Sequence, residues 1–216
     1  MRCFVTAGPT WEPLDRARRL TNFSTGRLGG ELANALLMAG HEVELFLSET
    51  AIWRQPLAAL TLHSFSTTAS LASAIESRAT PEPVAFFHAA AVSDFQAGAR
   101  VQRGPDGVLI PVREGKPQTD RGPLWVELQP TPKILPRLRT WFPQGTIVGW
   151  KYEVDGTREE AVAKGRRQLE AAGSQACVVN GPAYGEGFAV VVPERPLQEV
   201  PTRDALFSTL LGLLER

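Results

Sequence analysis

Residues 2–30 read RCFVTAGPTWEPLDRARRLTNFSTGRLGG. A short apolar run over 3–7 gives way to a polar loop, which ends in the glycine-rich start of a helix over 27–39. Leu28, Leu32, Ala35, Leu36 and Ala39 recur on one face at helical spacing, and Gly40 supplies the stop. Strand, loop and glycine-rich helix start make a phosphate cradle, because the first amides of a helix lack internal partners and its N-terminal end is positive. Arg18 and Asn22 stand in the same loop, four positions apart. Both carry N–H donors of the kind that hold a carboxylate, a phosphate or a developing oxyanion, so the stretch predicts chemistry as well as binding.

Outward from this unit, 42–47 reads as strand-like, the runs at 84–90, 146–150 and 176–179 read as strands, and 70–78 as a short helix. The next helix is well punctuated, with Thr157 and Glu160 as a capping-box pair and Gly173 as its end. A last helix over 202–216 turns Leu206, Leu210, Leu213 and Leu214 inward. This alternation predicts an α/β fold: one domain over 1–216 with a doubly wound, mainly parallel, Rossmann-like sheet and helices on both faces. Ligands of such sheets bind at the carboxyl ends of the strands. Here those ends are TAGPT, HAAAVSDF, VGWKYE and VVNGPAYG, predicted to face one crevice. Residues 96–122 break the alternation with many glycines and prolines, and carry Arg100, Arg103, Arg113, Lys116 and Arg121 against Asp106, Glu114 and Asp120. Such a stretch predicts a long basic lid loop, mobile or built as a hairpin insertion, with 108–112 and 124–128 as the two arms.

The bulk numbers exclude several classes. Of 216 residues, 43% are hydrophobic and 21% charged, values of an ordinary globular domain, and the formal net charge is zero. No global field draws nucleic acid or an anionic membrane, so a small-molecule partner is expected. Cys3 and Cys177 sit inside apolar runs and read as reduced, buried thiols. His41, His63 and His88 have no metal-ligand spacing with each other or with the cysteines. The chain enters a strand at once, without a signal segment, and no run is long enough to span a membrane, so a cytoplasmic location is expected.

With TAGPTWEPLDRARRLTNFSTGRLGG, HAAAVSDF, VGWKYE and CVVNG in order, the chain resembles the phosphopantothenoylcysteine synthetase family, the ligase of coenzyme A biosynthesis. The resemblance covers nearly the whole chain and implies a stand-alone form of a domain often fused behind a flavin-dependent decarboxylase. Thr6, Gly8, Thr10, Glu12, Pro13, Asp15, Arg18, Asn22, Ser24, Gly26, Arg27 and Gly29 fall in register with the family's opening motif. It implies that Asn22 holds the activated acyl intermediate with Arg18 assisting. Gly8, Thr10, Ser24, Thr25, Gly26, Arg27 and Gly29 would bind nucleotide or phosphate. By the same resemblance Ala90, Ala91 and Asp94 line the nucleotide pocket, Asp94 being a candidate Mg2+ contact, and Trp150, Lys164 and Asn180 complete it. Arg113 takes the place of a catalytic loop lysine and Lys116 keeps a lysine in that loop.

The implied reaction joins 4'-phosphopantothenate to cysteine through an acyl-nucleotide, with CTP or ATP as co-substrate and Mg2+ as the metal. NFSTGR looks at least as much like the N-F-S-S-G-R of ATP users as the N-H-S-S-G-K of CTP users. A homodimer is implied too, with 188–192 as the segment expected at its interface. Three departures stand out: Lys151 and Tyr152 replace two alanines, Asn180-Gly181 replaces an asparagine-aspartate pair, and Ala172 replaces a lysine. They keep open a homologue that binds nucleotide but has lost or changed the ligation. The strand-loop-helix start also suits an NAD(P)-dependent oxidoreductase, although no clean G-x-G-x-x-G follows the first strand.

Overall fold

The computed structural model describes residues 1–104 and 107–215. Its elements run β1 (Arg2–Ala7), β2 (Trp11–Pro13), β3 (Arg19–Thr21), α1 (Arg27–Met38), β4 (Glu42–Ser48), β5 (Thr61–Phe65), α2 (Thr68–Glu76) and β6 (Ala85–His88). There follow β7 (Phe95–Arg103), β8 (Leu109–Pro111), a 3-10 turn (Thr119–Arg121), β9 (Leu124–Pro130), α3 (Ile134–Trp141) and β10 (Thr146–Tyr152). The chain closes with α4 (Arg158–Ala172), β11 (Ala176–Gly181), β12 (Gly185–Val191), β13 (Gln198–Val200) and α5 (Arg203–Leu211).

The main sheet has the order β13-β12-β11-β10-β6-β1-β4-β5. From β5 to β11 all neighbours are parallel, while β12 and β13 add antiparallel strands at one edge. Numbered in chain order, the parallel strands run 3-2-1-4-5-6, so the order reverses between β1 and β6 and opens a crevice there. Alternation along each strand fills two faces. Cys3, Val5, Leu45, Phe87, Val148 and Val178 pack beneath α1 and α5, against Leu32, Leu36, Leu206 and Leu210. Phe4, Phe46, Phe86 and Ile147 face the other way, against Leu71 and Ile75 of α2 and Ile134 and Leu138 of α3. On that same side α4 covers Cys177, Val179, Ala189 and Val191. Both cysteines are buried free thiols, and desolvation pushes each up to about 12, which leaves them protonated and inert.

Helix α4 has the expected capping box and ends at Gly173 in the left-handed conformation. The insertion differs from expectation. Its opening residues are the nine-residue strand β7, and the two proposed arms do not pair with each other. β8 and β9 instead flank β7 on either side in a three-stranded antiparallel sheet. Pro105 and Asp106 of this segment, and Arg216 of the expected last helix, lie outside the described residues. Leu213 and Leu214 lie past the end of α5 yet still pack on its core cluster. The segment 188–192, expected at a dimer interface, falls mostly in β12, where Ala189, Val190 and Val191 are buried between neighbouring strands and helices. Its backbone already pairs on both sides, which removes it as a free edge.

At the opposite end of the sheet from the crevice, Glu44 on β4 is only 5% exposed. It accepts from Arg2 Nε at 2.9 Å and from His63 Nε2 at 2.7 Å, with Arg78 Nε 3.3 Å away. Burial alone would raise its pKa, but the hydrogen bonds from Arg2 and His63 outweigh that and hold it below the usual carboxylate range. A depressed carboxylate stabilises the fold above its unfolded-state pKa, and that contribution is lost as pH falls through the folded value. Glu44→Gln is therefore expected to cost about 2 kcal/mol near neutral pH, the worth of hydrogen bonds to a charge. Denaturant melts should show the gap between variant and parent closing as the solution becomes acidic.

Candidate active site

The crevice is built where β1 and β6 part. β1 ends at Ala7, and Gly8 turns the chain at φ 90. Pro9 bridges to Ala91, with Ala91 N donating to Gly8 O at 3.0 Å and Thr10 N donating to Ala91 O at 3.1 Å. The loop after β1 is thus stitched to the alanine run after β6. Beneath it, Thr6 Oγ1 accepts from Ala90 N at 3.1 Å and shares a hydrogen bond with His88 Nδ1, 2.9 Å away. Burial holds His88 down to about 4, so the ring is neutral.

The polar loop of the opening motif folds into a hairpin, β2 against β3, which neither period nor composition announced. Trp11 pairs with Thr21, and this returns Asn22 to the switch point. Its Nδ2 donates to Ala91 O at 3.3 Å and Val92 O at 3.2 Å while the residue stays exposed. Asn22, Ala90, Ala91 and Gly8 therefore meet. Helix α1 begins beside them: Gly26 is its N-cap at φ 77, with no side-chain cap and no acidic residue in the first turn. A Cβ on Gly26 would sit 2.9 Å from Ala51 Cβ and 3.3 Å from Gly8, so the two turns touch only because both residues are glycine. Ser24 and Thr25 line the approach, and Thr25 Oγ1 accepts from Arg27 N at 3.3 Å. Amides and a positive helix end thus face a position open to an anion.

Other expected residues are placed differently. Thr10 is fully buried, its hydroxyl accepting from Ser93 N at 2.7 Å, so it orders the loop from inside and is closed to a ligand. Gly29 is buried as well. A Cβ there would stand 2.8 Å from Ala7 Cβ and from Thr6 O, which makes it the close-packing glycine between helix and strand. Arg27 is exposed and bonded to Glu31 at 2.5 Å. Arg18 lies on the hairpin turn, where its Nε and Nη2 donate to Asp15 Oδ2 at 2.7 and 2.6 Å. The Ala17 backbone N–H, with help from Arg18, keeps the Asp15 carboxyl low and charged. Arg113 and Lys116 are exposed in the connection after β8. That connection is tied to the hairpin, since Arg16 N donates to Gly115 O at 2.9 Å. The structure brings these three cations to the hairpin side of the crevice and does not join them to Asn22.

Farther along the strand ends, Asp94 is exposed and paired with Lys133, a residue the sequence reading passed over. Glu153, which follows β10, holds both Lys164 and Lys151, the latter at 2.9 Å. Desolvation would raise its pKa, but hydrogen bonds from Lys164 and Lys151 prevail and keep it ionised. Lys164 therefore reaches the site through Glu153. Asn180 O accepts from Glu153 N at 2.9 Å, and Gly181 lies against the Glu153 backbone at φ 116. Trp150 is partly buried in the core beneath α1 and α5.

Fold and site together define an α/β protein whose strand-order switch point holds an uncapped helix start and a polar amide beside it. The chain belongs to the family described as DNA/pantothenate metabolism flavoprotein C-terminal domain, whose model matches residues 1–190. It is 34% identical over 180 residues to the Coenzyme A biosynthesis bifunctional protein CoaBC of Thermococcus kodakarensis, covering 83% of this chain and 41% of that protein. To the protein of that name from Mycolicibacterium smegmatis it is 29% identical, over 88% of this chain and 44% of the relative. The chain thus spans about two fifths of the length of these relatives. Among solved structures, the DNA/pantothenate metabolism flavoprotein from Streptococcus pneumoniae superposes with a TM-score of 0.85 at 26% identity, over 100% of this chain and 98% of that one. A Cab2 mutant H337A complex with phosphopantothenate-cysteine shares the fold at a TM-score of 0.67 and 21% identity, over 100% of this chain and 89% of that one. No helix among the described residues is long and apolar enough to cross a membrane.

Proposed function

We propose that this chain, acting as a single ligase domain, joins 4'-phosphopantothenate to L-cysteine at the expense of CTP or ATP. The observation that carries the reading is the meeting of Asn22 with the Ala91 and Val92 carbonyls beside the uncapped start of α1. Family membership supports it, as does the phosphopantothenate-cysteine bound by the Cab2 relative. In the first step a carboxylate oxygen of phosphopantothenate attacks the α-phosphorus of the nucleotide, and the bond to pyrophosphate breaks. In the second the cysteine amine attacks the acyl carbon, loses a proton and expels the nucleoside monophosphate. No enzyme nucleophile is needed, in keeping with the inert thiols. The protein's part is positioning and charge neutralisation. Asn22 would steady the acyl group, the α1 amides a phosphate, and Ala90 and Ala91 the backbone edge of the pocket. Arg18, Arg113 and Lys116 would close over the anionic substrates from the hairpin side.

Among the described residues no group of three or more His, Cys, Asp or Glu side chains stands ready for a metal ion. Mg2+ is commonly carried by substrate phosphates with one or two carboxylates, and the exposed Asp94 is the side chain that would reach it. Bound there, the ion would supply charge neutralisation for the phosphates. A homodimer is part of the same reading, and the face to bury is the small sheet, where Leu109, Ile110 and Trp125 are exposed. Thermal-shift measurements test the nucleotide reading: CTP or ATP should raise the melting temperature and NADPH should not. Stabilisation by NADPH alone would favour the oxidoreductase.

A further inference from the structure

We propose that the cavity of about 330 Å3 at the amino ends of β10 and β11 is a second ligand site, which takes a small organic carboxylate with an alkyl tail. It lies at the opposite end of the sheet from the crevice and does not depend on the ligase reading. Its size is within the range of small-molecule sites. Thr146 opens β10, Ser174 and Gln175 lead into β11, and Arg195 follows the turn after β12, so three neighbouring strands bring polar side chains to one place. Val192, Pro193 and Leu213 supply an apolar wall. Val192 and Leu213 also pack on the core under α1 and α5, so that wall is held by the fold.

The polar side is made of donors with nothing to hold. Ser174 is 6% exposed, and its buried Oγ has no hydrogen-bond partner among the described residues. A buried hydroxyl in that state calls for an explanation, and a bound acceptor supplies one. Gln175 is fixed by its neighbours, its Oε1 accepting from Ile147 N at 2.7 Å and from Arg139 Nη2 at 2.8 Å. Only its Nε2 hydrogens remain to be given. Arg139 also donates to Gly145 O and Gly173 O, each at 3.0 Å, the residues just before Thr146 and Ser174, so the floor is set before any ligand arrives. Among the described residues Arg195 makes no ion pair, and no carboxylate lines the cavity with it. It is delivered by a turn in which Arg195 N donates to Val192 O at 3.4 Å and Glu194 takes φ 57. Glycine suits that place in a turn, and backbone strain of this kind collects at ligand sites. One guanidinium fork, an amide and a hydroxyl match two carboxylate oxygens and a single negative charge. A phosphate dianion would lack the helix-start amides that the crevice offers.

Backbone-amide NMR titration of the protein with hexanoate, hexanamide and inorganic phosphate tests the assignment. Hexanoate should shift the Ser174, Gln175 and Arg195 amides saturably. Hexanamide and phosphate should bind at least about tenfold more weakly, the loss expected when one charge-assisted contact goes. Arg195→Ala should weaken hexanoate by a similar factor and, because the side chain is exposed and unpaired, keep the melting temperature within about 2 °C. Ser174→Ala should weaken hexanoate too, without loss of stability, since it removes a hydroxyl that has no partner. No saturable shift, shifts confined to the crevice around Asn22 and Ala91, equal binding of hexanamide or phosphate, or an unchanged hexanoate affinity in either variant overturns the inference and leaves the ligase reading standing. Pyrophosphate release bears on that reading alone.

Discussion

Asn22→Ala is expected to lower kcat/KM for ligation by about 10²- to 10³-fold, the cost of about 2.7–4 kcal/mol that follows loss of one positioned donor at a developing charge. The side chain is exposed and its two hydrogen bonds run to Ala91 and Val92 carbonyls at 3.2–3.3 Å, so it contributes little to the core. Its removal should shift the melting temperature by no more than about 2 °C. Steady-state assays paired with thermal melts check both halves. A large loss of stability would mean that Asn22 serves the loop and not the reacting group. Asn22→Asp should fare no better than alanine, since it replaces the amide donor with a charge beside two carbonyls and an anionic substrate.

The second large effect is on folding. Gly181 occupies a place where resemblance to the family calls for aspartate, and the structure gives the reason for the glycine. Its φ is 116, and a Cβ there would lie 2.4 Å from Glu153 O. Strain and overlap with backbone add up to about 3 kcal/mol or more for Gly181→Asp, or roughly 10 °C in melting temperature for a chain of this size. Denaturant and thermal unfolding measure it directly. Near-parental stability would show that the ends of β10 and β11 can separate. Gly181→Ala should show most of the same loss, because the conflict lies at Cβ and not at the carboxylate. The departure from the motif is therefore matched by the packing of Glu153 against the end of β11.

The parallel sheet was legible because its strands are buried on both faces and its helices carry clear stops. Residues 176–179 are a continuous apolar run, 43–47 are apolar but for Glu44, and Gly40 and Gly173 end α1 and α4 in positive φ. Elements without such signals escaped. Strand β5, TLHSF, is an edge strand with one fully buried residue, Phe65, so it shows no alternation. Helix α3 carries Pro136, which reads as a break yet falls in the first turn, where a missing N–H costs nothing. The three-residue strands β2 and β3 are too short to have a period at all. Strand β7 was hidden by Gly98 and by the register shift between Ala97 and Arg100.

For the crevice, the motif residues Asn22, Ala90, Ala91 and the glycine turns come together because loops after neighbouring strands must meet where the strand order reverses. The motif did not tell which polar residue turns inward. Thr10 and Asn22 look alike on paper, but the fold consumes the first to hold Ser93 and leaves the second in the crevice. Lys133 and Glu153 were passed over because their roles arise from pairing across elements, with Lys133 on Asp94 and Lys164 on Glu153. An ion pair between distant segments leaves no local pattern. The same is true of Arg203, which gains its place beside α1 only through Glu31.

The most direct test of the ligase account is pyrophosphate release by the purified protein with Mg2+, run in parallel with CTP and ATP, each with and without 4'-phosphopantothenate and cysteine. The account predicts release with at least one nucleotide that requires phosphopantothenate, together with formation of 4'-phosphopantothenoyl-cysteine when cysteine is added. Nucleotide binding with no pyrophosphate and no product, under either nucleotide, would contradict it and leave a binding protein that has lost the ligation.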